Sequence, residues 1–452
     1  MILFSQKNRT DIFLCELEKS FTDKFPRHVI ERFKLALLDY LGVTLAGAQA
    51  SDKRLDFLVN LSEDGDTSAI GIDRLISMEK AVFLNGLNAH MLDYDDGTNS
   101  GIIHLGSPVF SVLLPLARKY KVPVGKFVKS SILGYEASYT MAVSIQPQHK
   151  SLGYHATGTC GTLGIALAVA EMLDFSEEQR KNAFSAAAVS ATGTLKVLED
   201  RSELKPYNVA KAALMGYTAS MMGYAGFRGP DDVLSGDRGF LSLMFGSDDV
   251  ELLPFKLNGT YALEKAYIKP YAACRYCHPA IEAALMMKKK YCFELDDIES
   301  ILVRTYSLAV NNHDHTEIMG EGSAKMSIPY SVAVALHRGK AGLGEYQSEI
   351  VAEKAILDLT RRVCVSADDD FSRAFPAKQT TSVEIKMKGG LTYSETVDFP
   401  KGEPENPLSL AEAREKYTEL ALYGGKTLEE TDEIFKAVID LDNQFERLLD
   451  LI

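Results

Sequence analysis

The chain has 452 residues, 46% hydrophobic and 25% charged, with a formal net charge of −13. That length calls for two or three folding units, and the balance of apolar and charged residues excludes bulk disorder. The acidity excludes nonspecific nucleic-acid binding, because no Lys/Arg-rich run supplies a basic footprint.

The N-terminus, MILFSQKNRTDIFLCELEKSF, brings in charge by Lys7 and has no apolar core followed by a small-residue cleavage site, so no signal peptide is expected. The most apolar stretches, Leu105–Ala117 and Gly161–Ala170, fall short of the roughly 20 residues of a membrane span and carry Gly, Ser or Pro. The expectation is a cytoplasmic protein with no membrane partner. Its six cysteines, Cys15, Cys160, Cys274, Cys277, Cys292 and Cys364, should then be free thiols.

Taken in chain order, the first 265 residues or so read mainly as helix. Pro26 can open a helix at its first position, with Val29, Phe33, Leu37 and Leu41 recurring at helical spacing. Further helices are expected at about Met78–His90, Val124–Ser144, Gly161–Leu173, Ser176–Val189 and Val209–Ala225. Runs such as AFSAAAVSATGTL are rich in Ala, Gly and Ser, and small residues let helices approach closely.

The character changes after Tyr267. A helix, Pro279–Tyr291, precedes a strand-like run, Ser300–Tyr306, and two alternating runs, Ser382–Met387 and Leu391–Val397, flank Lys388-Gly-Gly390 as in a β-hairpin. Prolines 400, 404 and 407 then punctuate the chain, and helices at about Leu408–Leu422 and Leu428–Leu449 close it. The pattern predicts a mainly α protein. A large helical domain (1–267 and 405–452) would be built from both chain ends, with a smaller α+β domain over 268–404.

Four constellations could carry chemistry. Asp93, Asp95 and Asp96 stand at a helix end, where carboxylates oppose the helix dipole and need compensation. With His104 they would form an acid–base cluster; alternatives are a Mg²⁺ site or a solvated, capped turn. The run from Gly153 to Thr162, with His155, enters a helix through Gly and Thr and could present amides to an anion, or be no more than a flexible cap. The third constellation, Gly193–Lys196 through Leu204-Lys205-Pro206-Tyr-Asn208, leads into a helix. Ile268-Lys269-Pro270 through Cys274-Arg275-Tyr276-Cys277-His278 is dense in cations, and Arg275 could grip a carboxylate bidentately; a lone Lys is more simply a surface charge.

Residues 274–278 also fit the C-x-x-C-H haem-attachment pattern. The lack of an export signal and of a second motif, and the helix starting straight after His278, argue against haem. No second ligand pair supports zinc. No G-x-S-x-G elbow and no G-x-G-x-x-G fingerprint is present.

In this order the segments resemble the MmgE/PrpD family. The resemblance rests on ALLDYLGVTLAG (36–47), NGLNAHMLDYDD (85–96), HATGTCGTLGIALAVAEML (155–173), LKPYNVAKAALMG (204–216), GFRGPDDVLSGDRGFL (226–241) and IKPYAACRYCHPAIEAAL (268–285), and runs from about residue 10 to the C-terminus. It implies a large helical domain, a smaller α+β domain, a homodimer, no metal or organic cofactor, and a site in the cleft between domains. It carries catalytic roles onto Asp93, His104, His155, Lys205 and Lys269; Arg275, Thr98 and His278 are expected as substrate contacts beside them.

The activity implied is proton abstraction α to a carboxylate of a small di- or tricarboxylic acid, with a 2-methylcitrate dehydratase-like hydro-lyase as the first expectation. Epimerisation of the iminodisuccinate type and decarboxylation of the cis-aconitate type are alternatives, as is a non-catalytic carboxylate-binding dimer. Three departures from the family pattern stand out. Gly97 precedes Thr98 where many relatives have Thr at once, the loop from Asp96 to His104 is one residue longer, and Leu308-Ala-Val-Asn-Asn312 lacks the tyrosine of the decarboxylase branch. The Lys-Pro-Tyr…Cys-Arg run looks closer to epimerase-like members.

Overall fold

The structure is a computed structural model that describes residues 8–21, 24–199 and 202–452. The stretch Met1–Lys7, read above for a leader, lies outside the described residues. The protein is mainly α and divides into two compact units. One holds the described residues up to Ala266 together with Ala413–Ile452, the other Tyr267–Glu412. Among the described residues no helix is long and apolar enough to cross a membrane.

The first unit opens with α1 (Arg9–Ser20) and the long α2 (Arg27–Asn60). Pro26 is the N-cap of α2, one position earlier than expected. An antiparallel hairpin follows, β1 (Asp64–Ala69) and β2 (Ile72–Ile76), then α3 (Met78–Met91), α4 (Gly106–Tyr120), α5 (Val124–Ile145), α6 (Ala156–Met172), α7 (Glu177–Ser190) and α8 (Lys205–Tyr224). The hairpin escaped the sequence reading because β1 is the polar run DGDTSA, with no apolar alternation to mark it. Helix α6 starts five residues before the expected Gly161. Its Gly/Thr entry is helical, and Thr162 bonds back to the Gly158 carbonyl at 2.9 Å.

Helix α8 packs against α3, α6 and α7, and α5 lies along α6. Small residues set these approaches. A Cβ on Gly164 of α6 would sit 1.9 Å from Ser138 Oγ of α5, and one on Gly86 of α3 would sit 2.9 Å from the Cα of Ala210 in α8. The apolar core joins Phe33, Phe110, Phe127, Leu163 and Ala213 to Tyr417 and Phe445 from the end of the chain.

The second unit contains α9 (His278–Lys290), β3 (Ile298–Thr305), α10 (Ile328–Arg338), β4 (Val363–Ala367), β5 (Thr381–Met387) and β6 (Thr392–Val397). Its sheet runs β4-β3-β5-β6. The expected hairpin is β5–β6, with Lys386 opposite Thr392 and Gly390 at φ 84° in the turn. In register, Ile301 faces Ile385 and Val303 faces Val383, all four buried. Strand β4, parallel to β3, was not anticipated, since five residues with half-exposed side chains carry little pattern.

The chain then returns to the first unit through α11 (Leu410–Tyr423), α12 (Leu428–Ile439) and α13 (Leu441–Leu451). Phe445 of α13 stacks on Phe127 with ring centroids 4.8 Å apart, and Lys416 of α11 is buried against Asp39 of α2.

Filling the α5–α6 contact tests this account. Gly164→Ala is expected to destabilise the protein by about 1–3 kcal/mol or more, the usual cost of overpacking, as read from urea unfolding. Unchanged stability would show that the helices can separate without penalty.

Candidate active site

Helix α3 ends at Met91, and Asp93 follows in the left-handed region at φ 50°, a conformation that Asp tolerates better than most residues. The three carboxylates then diverge to different partners. Asp93 Oδ1 accepts from Lys205 Nζ at 2.7 Å; both side chains are partly exposed, 30% and 24%. Asp95 is buried between two imidazoles, with Oδ1 2.8 Å from His90 Nδ1 and Oδ2 3.2 Å from His104 Nδ1, and it also accepts from Ser107 Oγ at 2.6 Å. Asp96 accepts from the Gly106 amide at 2.9 Å and from the Tyr135 hydroxyl at 2.8 Å. Gly106 and Ser107 form the first turn of α4, so the positive end of that helix faces two of the carboxylates.

His104 is fixed from two sides. Its backbone amide donates to Thr157 Oγ1 at 3.1 Å, in the first turn of α6, and its Nδ1 lies 2.7 Å from the Asp96 carbonyl. Bonded to a carbonyl and a carboxylate, Nδ1 carries the proton, leaving Nε2 as the reactive nitrogen. The His90 ring crosses the His104 ring edge-on at 4.4 Å, and His155, the N-cap of α6, stands 6.4 Å from His104. His90 Nε2, His155 Nδ1 and Thr98 Oγ1 are buried without a hydrogen-bond partner, an arrangement that folded proteins rarely leave unexplained.

Burial and charge divide the titrations. Burial works against charge on Asp95, but His104 and His90 outweigh it and hold its pKa well below the carboxylate range. Burial pushes Asp96 up to about 6, helped by the charge of Asp95 and opposed by the Gly106 amide. Burial pushes His90 down to about 4 despite Asp95, and drives His155 well below the usual imidazole value, with Lys205 adding to the effect.

Behind the loop, Lys416 Nζ bonds Asp39 at 2.5 Å and the Tyr94 carbonyl at 2.9 Å, and lies 4.0 Å from the centre of the Tyr94 ring. His90, Asp95 and His104 are also the described residues whose donor atoms come close enough, within 4.8 Å, to hold a metal ion. The Nδ1 atoms of both histidines already face the Asp95 carboxylate.

Of the eight residues expected at the site, Asp93, Thr98, His104, His155 and Lys205 belong to the first unit. Ion pairing joins Asp93 to Lys205, and ring packing joins His104 to His155. Thr98 is held in the intervening loop by its amide, which donates to the Ile103 carbonyl at 2.9 Å. Lys269, Arg275 and His278 belong to the second unit. Lys269 is buried there. The Arg275 guanidinium donates to Glu403 and, at 2.7 Å, to His278 Nδ1, while His278 Nε2 donates to the Ala273 carbonyl at 3.1 Å. An open groove of about 790 Å³ on the second unit, lined by residues such as Lys288, Tyr291 and Tyr393, contains none of the eight.

The sequence reading passed over His90, Tyr135 and Lys416. A histidine in the last turn of α3, five residues before Asp95, was a usable signal. Nothing local marks Tyr135, which lies in an apolar helix, or Lys416, which arrives from the other end of the chain.

Carboxylates that orient imidazoles beside an accessible ion pair make up the equipment of a proton-transfer site. The first unit matches the MmgE/PrpD N-terminal domain over residues 17–253, and residues 271–441 match the MmgE/PrpD C-terminal domain. The chain therefore belongs to the MmgE/PrpD family. It is 24% identical to a cis-aconitate decarboxylase of Aspergillus terreus (strain NIH 2624 / FGSC A1156), covering 95% of this chain and 91% of that protein. It is also 24% identical to the Mus musculus cis-aconitate decarboxylase, covering 86% and 82%, and 23% identical to the Homo sapiens one, covering 97% and 93%.

The raised pKa of Asp96 has a consequence for stability. A carboxyl that titrates higher in the folded state than its unfolded value near 3.9 stabilises the fold while protonated, and that contribution fades as pH rises through about 6. Relative to Asp96→Asn, the wild-type protein should lose about 1 kcal/mol between pH 5 and pH 8 in urea unfolding. A difference independent of pH would show that Asp96 does not titrate in this range.

Proposed function

We propose that this protein is a lyase acting on a small di- or tricarboxylic acid through a carbanion next to a carboxylate, with no metal or organic cofactor. The observation that carries the reading is His104, oriented through Nδ1 by Asp95 and the Asp96 carbonyl beside the accessible Lys205–Asp93 pair. A carbanion flanked by carboxylates needs positive charge where negative charge develops and a proton carrier within reach. Lys205 supplies the cation and His104 Nε2 the proton. Asp95 keeps the imidazole oriented. Asp93 holds Lys205 until a substrate carboxylate competes for it. His155 and Thr98 bring unsatisfied polar atoms that fit further substrate oxygens. Lys269 is proposed as a second cation on the strength of the family resemblance, and Arg275 and His278 as further carboxylate contacts on the strength of their chemistry.

Decarboxylation of a cis-aconitate-like acid is the first reading within this class, because the relatives matched along nearly the whole chain carry that name. The C–C bond to one carboxylate breaks, CO₂ leaves, and His104 protonates the resulting allylic carbanion. Dehydration of a 2-methylcitrate-like acid is the second reading, favoured by Leu308–Asn312, which offers no tyrosine where the decarboxylase branch has one. In that case the same imidazole first removes a proton.

Proton NMR in D₂O with cis-aconitate, 2-methylcitrate and aspartate-derived diacids separates these outcomes. A new deuterated methylene product with CO₂ release marks decarboxylation, loss of water marks the hydro-lyase, and exchange without a new product marks an epimerase. Folded protein inert toward all of these acids would sink the proposal. Lys205→Ala is expected to lower turnover by about 10²–10³ with little effect on stability, since half-exposed ion pairs contribute at most about 1 kcal/mol. His104→Ala should abolish deuterium incorporation while largely sparing substrate binding. Turnover should survive dialysis against a chelator.

A further inference from the structure

The second unit holds a group of reactive side chains that the proposed chemistry does not use. Cys274 Sγ lies 3.3 Å from His313 Nε2, and His313 Nδ1 lies 2.6 Å from the Asn311 carbonyl. That carbonyl can only accept, so Nδ1 carries the proton and Nε2 turns a lone pair toward the thiol. These are the nucleophile, base and orienting group of an activated cysteine. Tyr276 packs edge-on against His313 at 5.3 Å, and Tyr306 packs edge-on against Tyr276 at 6.1 Å. The Tyr306 hydroxyl is buried without a hydrogen-bond partner. A buried hydroxyl left unpaired is costly, so an oxygen-bearing ligand reaching it would be favoured.

We propose that Cys274 is a covalent modification site, a thiol activated by His313 that captures soft carbon electrophiles, chiefly alkenes conjugated to a carboxylate or carbonyl. The thiol proton passes to His313 Nε2, and the thiolate adds to the β-carbon. The alkene π electrons move to the α-carbon, which takes the proton back from the imidazolium, so no further reactant is needed. The Tyr306 hydroxyl is suited to donate to the carbonyl or carboxylate oxygen. Charge at Cys274 bears on its neighbours: burial first, then Tyr276, Arg275 and Cys274, govern Tyr306, and burial followed by Cys274 pushes up Tyr276 and Cys277. Burial disfavours charge on His313, but Cys274, the Asn311 carbonyl and Asp314 outweigh it and raise its pKa, the direction an imidazolium–thiolate pair requires. Cys277, three residues on, is buried with its pKa held well above the thiol range, so it is no competitor.

The test uses the intact protein and iodoacetamide, which reacts with a thiolate by forming the S–C bond and releasing iodide. Peptide mapping by mass spectrometry follows each cysteine between pH 5.5 and 9. Cys274, only partly exposed, should label at pH 7 about tenfold faster than the exposed Cys15, Cys292 and Cys364. Its pH–rate profile should turn over below that of an ordinary thiol near 8.5, and His313→Gln should restore the ordinary profile. N-ethylmaleimide, an alkene conjugated to carbonyls, should show the same ranking, with a slower rate in Tyr306→Phe. Should His313→Gln not fold, the wild-type profile decides alone. Cys274 labelling no faster than the exposed thiols, or with an inflection near 8.5, overturns the proposal.

Discussion

Three carboxylates crowd the end of α3, where unpaired backbone carbonyls already concentrate negative charge. Left alone, Asp93, Asp95 and Asp96 would repel the helix end and one another. The rest of the first unit is arranged around that constraint. The first turn of α4 faces Asp95 and Asp96, two imidazoles close on Asp95, Tyr135 reaches Asp96 from α5, and Lys205 meets Asp93 from the start of α8. Lys205 is itself at the less favourable end of its helix, since a cation opposes the dipole there. Two charges, each misplaced on its own helix, neutralise each other across the gap.

The compensation is graded by access. Asp95, Asp96 and His90 are sealed, whereas Asp93 and Lys205 remain within reach of solvent. The buried members can therefore set the orientation of His104, while the outer pair stays open to exchange its mutual contact. Burial also favours the neutral forms of His90 and His155. Lys416 works from behind, tying the Tyr94 carbonyl to α11 and neutralising Asp39, so the returning chain end supports the loop that carries the aspartates.

In the second unit, the segment from Ile268 to His278 is fastened at several points: the Ile268 amide to Gly402, the Ala272 amide to Ala341, the Cys274 amide to Lys325, and Arg275 to Glu403. A segment held this firmly presents its side chains in fixed directions. That is why Cys274 and His313 meet at hydrogen-bond distance although 39 residues separate them.

The sequence by itself determined the helical character of the first unit, the β5–β6 hairpin and the family. Apolar periodicity, turn glycines and ordered short motifs are local properties of the chain. It also singled out Asp93, Asp95, Asp96, His104, His155 and Lys205, because carboxylates at a helix end and a histidine before a Gly/Thr-rich helix are legible one segment at a time. Pairing was not legible. That Asp93 takes Lys205, that Asp95 takes His90 and His104, that Tyr135 and Lys416 belong to the site, and that Cys274 faces His313 were decided only by tertiary structure. The polar hairpin β1–β2 and the short β4 were hidden for the same reason. Helices packed at glycine contacts bring together groups up to hundreds of residues apart, and a hydrogen bond a few ångströms long leaves no periodic trace in the sequence.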